Sequence, residues 1–179
     1  MVNDVRRAYF YAPTHRDIYI ELPPEDREGN RDQLGKLNLS LYGTRDAASN
    51  WQEHLSAHLI SHGFVRGIGH PSVFHHPTRG LVTLVHGDDY TTAGSISELL
   101  WFKKRLEETY EIKTQLIGPG GERTGKVLNR IITFFGDGYE LEADQRHSEM
   151  IVEQLGVTGC GGITTAGCQN EEVESAEQE

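Results

Sequence analysis

The sequence predicts an α+β fold in which an antiparallel sheet carries helices on one face. Three observations lead there. Two segments repeat apolar residues at helical spacing: Trp51, Leu55 and Leu59 within residues 46–62, and Leu99, Phe102 and Leu106 within residues 95–110. Between them lies a β-rich run, Leu81-Val82-Thr83-Leu84-Val85-His86-Gly87-Asp88-Asp89-Tyr90-Thr91-Thr92-Ala93, broken by a glycine-marked turn. An aromatic, strand-like segment precedes the first helix, and further strand-like segments follow the second. Strand, helix, hairpin, helix, strand is the order of a ferredoxin-like domain.

Each element has a local reason. Residues 4–12 read as the first strand, and residues 13–36 as a polar connection holding a short strand around Ile18 to Leu22. Asp46 stands where a helix N-cap belongs and Gly63 where a helix stops. Ser72–His75 pairs with Leu81–Val85 as a hairpin, and a strand from Tyr90 to Ala93 follows the acidic turn. Ser95 is placed to cap the second helix. Glu111 to Leu116 and Lys126 to Phe135 read as strands, the latter paired with Tyr139 to Ala143, and Asp144 to Leu155 reads as a last helix. From about Gly159 the chain is Gly/Thr-rich and then acidic, a composition that predicts disorder.

Composition limits the function classes. A length of 179 residues fits one domain with a core. No apolar run is long enough to span a membrane, and the N-terminus lacks a signal-peptide pattern. This predicts an intracellular protein, cytoplasmic or nuclear, that is not secreted. Cys160 and Cys168 make no disulfide framework and fit a reducing compartment. The net charge is −10, part of it from Glu171, Glu172, Glu174, Glu177 and Glu179. No strong basic stripe stands out, so the chain alone is expected to bind nucleic acid weakly.

The chemistry concentrates at Asp88-Asp89. Adjacent carboxylates repel unless solvated or bound to a cation. Mg²⁺ suits such a pair, because it takes a few carboxylate oxygens and shares its other positions with water and phosphates. Asp4 opens the first strand. A ferredoxin-like sheet sets the first strand beside the central hairpin, so Asp4 is expected near Asp88 and Asp89. One Asp on a first strand with an Asp pair on a later hairpin is the ligand set of a two-metal nucleotidyl transferase. Arg6 and Arg7 are within reach of a triphosphate, and strand alternation points at most one of them at the site.

Other signals are weaker. Gly120-Gly121-Glu122-Arg123-Thr124-Gly125-Lys126 nearly spells a phosphate-binding loop, but Val127 stands where the hydroxyl should be, and a strand follows where a helix is needed. A hairpin loop is the better reading. His54, His58 and His62 share one helix face, yet no acidic base sits between them in the metalloprotease pattern. A solvated face is expected there.

Several blocks, in order, make the chain resemble the reverse transcriptase of copia-type LTR retrotransposons. They are Asp4-Val5 through Ala8-Tyr9; Ile18-Tyr19-Ile20-Glu21-Leu22-Pro23-Pro24; Leu39-Ser40-Leu41-Tyr42-Gly43-Thr44-Arg45 with Trp51; Gly63-Phe64; Asp88-Asp89; and Gly138-Tyr139-Glu140-Leu141 through Leu155-Gly156. The resemblance implies a polymerase palm over residues 1–157, with fingers and thumb incomplete or absent, and a separate acidic tail over residues 158–179. It implies that Asp4, Asp88 and Asp89 are catalytic and hold two Mg²⁺ ions, with Mn²⁺ as a substitute. Tyr9 would screen out a ribose 2′-hydroxyl, and Arg6, Gly43 and Gly87 would join it in binding the nucleotide. Lys113 lies where the family would place a general acid for pyrophosphate, with a surface lysine as the better reading. Implied partners are an RNA or DNA template with primer, deoxynucleoside triphosphates and other segments of a Pol polyprotein, with no membrane.

The chain departs from the family pattern in places. His86 and Gly87 stand where the family usually has Tyr and Val, Asp46-Ala47-Ala48 replaces Gln-Ala-Pro, and Val127-Leu128-Asn129-Arg130-Ile131 replaces Phe-Leu-Gly-Ile. A second reading is therefore a catalytically inactive remnant that acts as a binding or interaction module. A third is a metal- or nucleotide-binding module without template dependence.

Overall fold

The computed structural model describes residues 1–27, 29, 32–142, 145–159 and 161. It forms two compact units, Met1–Leu141 and Glu142–Glu179. The fold is mixed α/β, with antiparallel sheets and three α-helices among the described residues. Cys160, Cys168 and the acidic tail lie outside those residues.

Within the first unit a six-stranded sheet joins β1 (Val2–Val5), β4 (Val65–Arg66), β5 (Val73–His76), β6 (Leu81–His86), β7 (Asp89–Ala93) and β8 (Ile112–Gln115). Their spatial order is β4-β5-β6-β7-β1-β8, so the first strand is inserted between the central hairpin and β8. Every pairing is antiparallel. The helices α1 (Ala47–Ser61) and α2 (Ile96–Glu107) share one core with this sheet. Trp51, Leu55 and Leu59 from α1 and Leu99, Phe102 and Leu106 from α2 pack with Val5, Phe74, Leu81, Val85 and Tyr90, and all are buried.

Strand alternation decides which residues join that core. β6 alternates strictly, with Leu81, Thr83 and Val85 buried and Val82, Leu84 and His86 exposed. β7 buries Tyr90 and Thr92, which leaves Asp89 and Thr91 on the opposite face. Two polar contacts lie within the core: the Thr83 and Thr92 hydroxyls meet at 2.9 Å, and Asn3 Nδ2 donates to Thr114 Oγ1 at 2.8 Å.

Several elements differ from the sequence expectation. The first strand ends at Val5 rather than continuing to residue 12. Arg7 turns the chain with φ 55, ψ 41, and Ala8–Tyr11 forms a single 3-10 turn. This left-handed conformation costs a non-glycine residue about 1–2 kcal/mol. A clamp opposes the cost: Glu111 accepts from Arg6 Nη1 at 2.7 Å and Arg7 Nη2 at 2.8 Å. Residues Lys126 to Phe135 are not one strand. β9 (Thr124–Val127) and β10 (Arg130–Phe134) are separated by Leu128 and Asn129 at φ 47 and 66, a two-residue turn, with β11 (Tyr139–Leu141) completing the sheet. The near-P-loop segment accordingly runs into β9. The polar connection holds a hairpin, β2 (Tyr19–Glu21) with β3 (Leu34–Lys36).

Helix ends follow the expected places more than the expected bonds. Asp46 precedes α1 but makes no capping bond; its carboxylate takes the Arg16 guanidinium at 2.9 Å. Ser95 precedes α2 in extended conformation, also without a side-chain cap. Gly63 ends α1 at φ 88, as the sequence indicated. In the second unit, α3 spans Gln145–Gln154.

Candidate metal and nucleotide site

The acidic residues are brought together by strand register. In β1–β7 pairing Asp4 stands opposite Asp89, in β6–β7 pairing His86 stands opposite Asp89, and in β1–β8 pairing Asp4 stands opposite Lys113. Cross-strand partners point to the same face. His86, Asp89, Asp4 and Lys113 therefore form one row across four strands, on the face away from α1 and α2. Asp88 occupies the turn beside this row, and its carbonyl accepts from Val5 N at 3.0 Å. That bond ties the turn to the residue after Asp4.

The turn itself is short. Only Gly87 and Asp88 separate the paired residues His86 and Asp89. Gly87 has φ 64, and a Cβ there would meet nothing within 4 Å. Backbone conformation, rather than space, makes glycine the fitting residue. The Gly87 carbonyl accepts the Trp51 indole N–H at 2.8 Å.

The row is electrostatically loaded. Partial burial, then the charges of Asp88 and Asp4, hold the Asp89 carboxyl above its ordinary range, with His86 acting the other way. Carboxylate oxygens in this setting suit a hard divalent cation. As the side chains stand, no three His, Cys, Asp or Glu residues converge into a metal-holding group among the described residues. This also applies to His54, His58 and His62. Cross-strand partners place their Cβ atoms about 4.5–5.5 Å apart. Asp4 and Asp89, facing across β1 and β7, are therefore neighbours on one face of the sheet. Facing carboxylates are the donor chemistry Mg²⁺ takes, although the described side chains do not converge on one point.

Tyr9 stands in the 3-10 turn after β1, its ring stacked on Tyr42 with centroids 4.4 Å apart. It lines a cavity of about 200 Å³ together with Trp51, Gln52, His86 and Gly87. Tyr9 thus shares a cavity with Gly87 of the turn, while Asp4, Asp88 and Asp89 do not line it. Gly43 does not line it; it turns the chain at φ 90 beside Tyr42. Arg6 is engaged elsewhere. Its guanidinium pairs with Glu111, whose carboxyl is held below the ordinary range by Arg7 and Arg6.

Three neighbours were not legible beforehand. The Trp51–Gly87 bond links residues 36 apart, and helical spacing marked Trp51 only as core. Lys126 and Asn129, from the β9–β10 hairpin, line an open cleft with His86 and Asp89. The misread strand hid that approach.

Sequence comparison matches the chain to a family. The family described as "Reverse transcriptase (RNA-dependent DNA polymerase)" matches residues 2–167. The chain belongs to the reverse transcriptase family. Among its relatives are the truncated transposon Ty1-A Gag-Pol polyprotein and the transposon Ty1-NL2 Gag-Pol polyprotein of Saccharomyces cerevisiae (strain ATCC 204508 / S288c). Each is 27% identical over 113 residues, 63% of this chain. The match covers 8% of the first and 6% of the second, so this reverse transcriptase region spans less than a tenth of the curated relatives it matches. Ty1 elements are copia-type, as the sequence blocks indicated. No described helix is long and apolar enough to cross a membrane.

Proposed function

We propose that the chain is the palm of a copia-type reverse transcriptase, adding deoxynucleotides to a primer 3′-hydroxyl under the direction of a template. Residues 1–157 are the palm core in this reading and residues 158–179 a separate acidic tail. The observation that carries it is the facing of Asp4 and Asp89 across β1 and β7, with Asp88 in the adjoining turn. The strand order β6-β7-β1-β8, with α1 and α2 on one face, supports the ferredoxin-like palm.

Asp4, Asp88 and Asp89 would hold two Mg²⁺ ions, with Mn²⁺ as a substitute. When bound, such ions activate the attacking hydroxyl and neutralise charge on the leaving pyrophosphate. Tyr9, held by Tyr42, would lie under the sugar and exclude a 2′-hydroxyl. Gly87 would let the backbone approach the nucleotide, and Gly43 would set the chain beneath Tyr42. Arg6 would bind phosphate only after leaving Glu111. Lys113, opposite Asp4, would protonate the leaving pyrophosphate. The partners would be an RNA or DNA template with primer, deoxynucleoside triphosphates and further Pol segments, in a cytoplasmic or nuclear setting.

A second reading, an inactive remnant acting as a binding module, is favoured by the incomplete convergence of the carboxylates and the engagement of Arg6. Primer extension on a primed RNA template with Mg²⁺ separates the two. Incorporation that falls about a thousandfold in Asp88→Asn, a barrier change of ~4 kcal/mol, supports the polymerase. No incorporation by the folded wild-type chain supports the remnant.

A further inference from the structure

The acidic turn has few restraints of its own. Gly87 has no side chain, and a Cβ there would meet nothing within 4 Å. Asp88 is flanked by another carboxylate that repels it. Two long-range bonds hold the two turn residues: the Asp88 carbonyl takes Val5 N at 3.0 Å, and the Gly87 carbonyl takes the Trp51 indole at 2.8 Å. The second comes from α1, on the covered side of the sheet. Trp51 itself is 1% exposed and wedged against Tyr110, with ring centroids 5.5 Å apart. Its donor is therefore fixed by the core.

The Gly87 carbonyl and the Asp88 N–H belong to one planar peptide. Fixing that carbonyl fixes the plane before Asp88, and the Val5 bond to the Asp88 carbonyl holds the plane after it; the two together set the direction in which the Asp88 side chain leaves the turn. We propose that Trp51 is a positioning residue for the metal-binding turn: its indole N–H locks the Gly87–Asp88 peptide so that Asp88 is presented beside Asp4 and Asp89. The inference rests on the reading of these carboxylates as a metal site. A purely structural role is the alternative, since buried indole N–H groups usually find an acceptor. That alternative predicts lost stability but unchanged metal affinity.

The test is direct Mn²⁺ binding, measured by the electron paramagnetic resonance of the free ion, on the wild-type chain, Asp88→Asn and Trp51→Phe. Phenylalanine keeps an aromatic ring in the core and removes the donor. Outer partners of metal ligands typically change affinity ten- to a hundredfold, so Trp51→Phe is expected to weaken Mn²⁺ binding about tenfold while the fold persists. Wild-type affinity in a folded Trp51→Phe, with binding lost in Asp88→Asn, overturns the role of Trp51 and leaves the metal site standing. Wild-type binding that is absent, or indifferent to Asp88→Asn, overturns the metal site and this inference with it.

A second measurement needs no variant. The chain has 2 tryptophans, so Trp101 is an internal reference. On titration with Mg²⁺, the Trp51 indole ¹H–¹⁵N resonance is expected to shift and its solvent exchange to slow, while the Trp101 resonance stays in place. A Trp51 resonance that ignores saturating Mg²⁺ overturns the proposal, even if Trp51→Phe fails to fold.

Discussion

The two faces of the six-stranded sheet are built from the same strands and do opposite work. The face under α1 and α2 is closed: Val5, Leu81 and Tyr90 are each 0% exposed. The other face leaves Val82 47% and Leu84 40% exposed and carries the row His86, Asp89, Asp4 and Lys113. Alternation at a period of two residues separates them. Asn3 and Val5 hold the fold, while Asp4 between them carries charge. A strand can therefore bear a destabilising charged residue at every second position, provided the covered face supplies the stability.

The largest test of that division compares truncations on the two faces. Phe102 is 0% exposed and packs on Phe64 with ring centroids 4.9 Å apart. Phe102→Ala is expected to cost about 3–5 kcal/mol, from lost burial and the cavity left behind. Val82→Ala on the open face is expected to cost less than about 1 kcal/mol. Urea unfolding of both variants reads the difference. A Val82→Ala loss as large as that of Phe102→Ala would mean that the open face is also a load-carrying core.

Much of this division was readable in the sequence, because burial has a period. The helical spacing of Trp51, Leu55 and Leu59 and the alternation through Leu81–Val85 indicated the covered face directly. Asp88 and Asp89 identified themselves by being adjacent in a glycine turn. What stayed hidden depends on long-range register or on rare backbone conformations. The row from His86 to Lys113 exists only once four strands are aligned. Arg7 at φ 55 and Leu128 at φ 47 are residue types that rarely adopt such values, so nothing local announced that the first strand stops at Val5 or that β9 and β10 are separate. The clamp that holds Arg6, from Glu111 more than a hundred residues away, has no local signature.

A smaller effect lies within the covered side. His58 packs edge-on against Tyr110, with ring centroids 4.8 Å apart, and its Nε2 has no hydrogen-bond partner. Burial, then His62 and His54, push its pKa down to about 4 from the usual 6.5. The folded chain therefore binds fewer protons than the unfolded chain between those values. Stability contributed by neutral His58 is present above about pH 6.5 and is lost as pH falls toward 4. His54, also lowered by burial, adds in the same direction. The urea midpoint is expected to fall across this window, and His58→Leu to flatten the fall. An unchanged slope in His58→Leu would show that the charge on this helix face is freely solvated.

The smallest effect is the one that separates the faces most clearly. The fold raises the pKa of Asp89, so its ionised form is disfavoured relative to the unfolded chain. The penalty is complete above the raised pKa and vanishes below the unfolded value, where both states are protonated. In divalent-free buffer near neutral pH, Asp89→Asn removes that charge and should stabilise the chain. Solvent screening holds the gain below about 1 kcal/mol, or at most roughly 2–4 °C in melting temperature. The gain should shrink as pH falls through the carboxylate range. Adding Mg²⁺ should reverse the order, because a cation bound only by the folded wild-type chain stabilises it by mass action, and the amide cannot replace the carboxylate. Melting curves of both proteins, with and without Mg²⁺, give all four values. If Asp89→Asn is less stable than wild type in divalent-free buffer, the carboxylate is already well compensated and the open face carries no charge penalty for a cation to relieve.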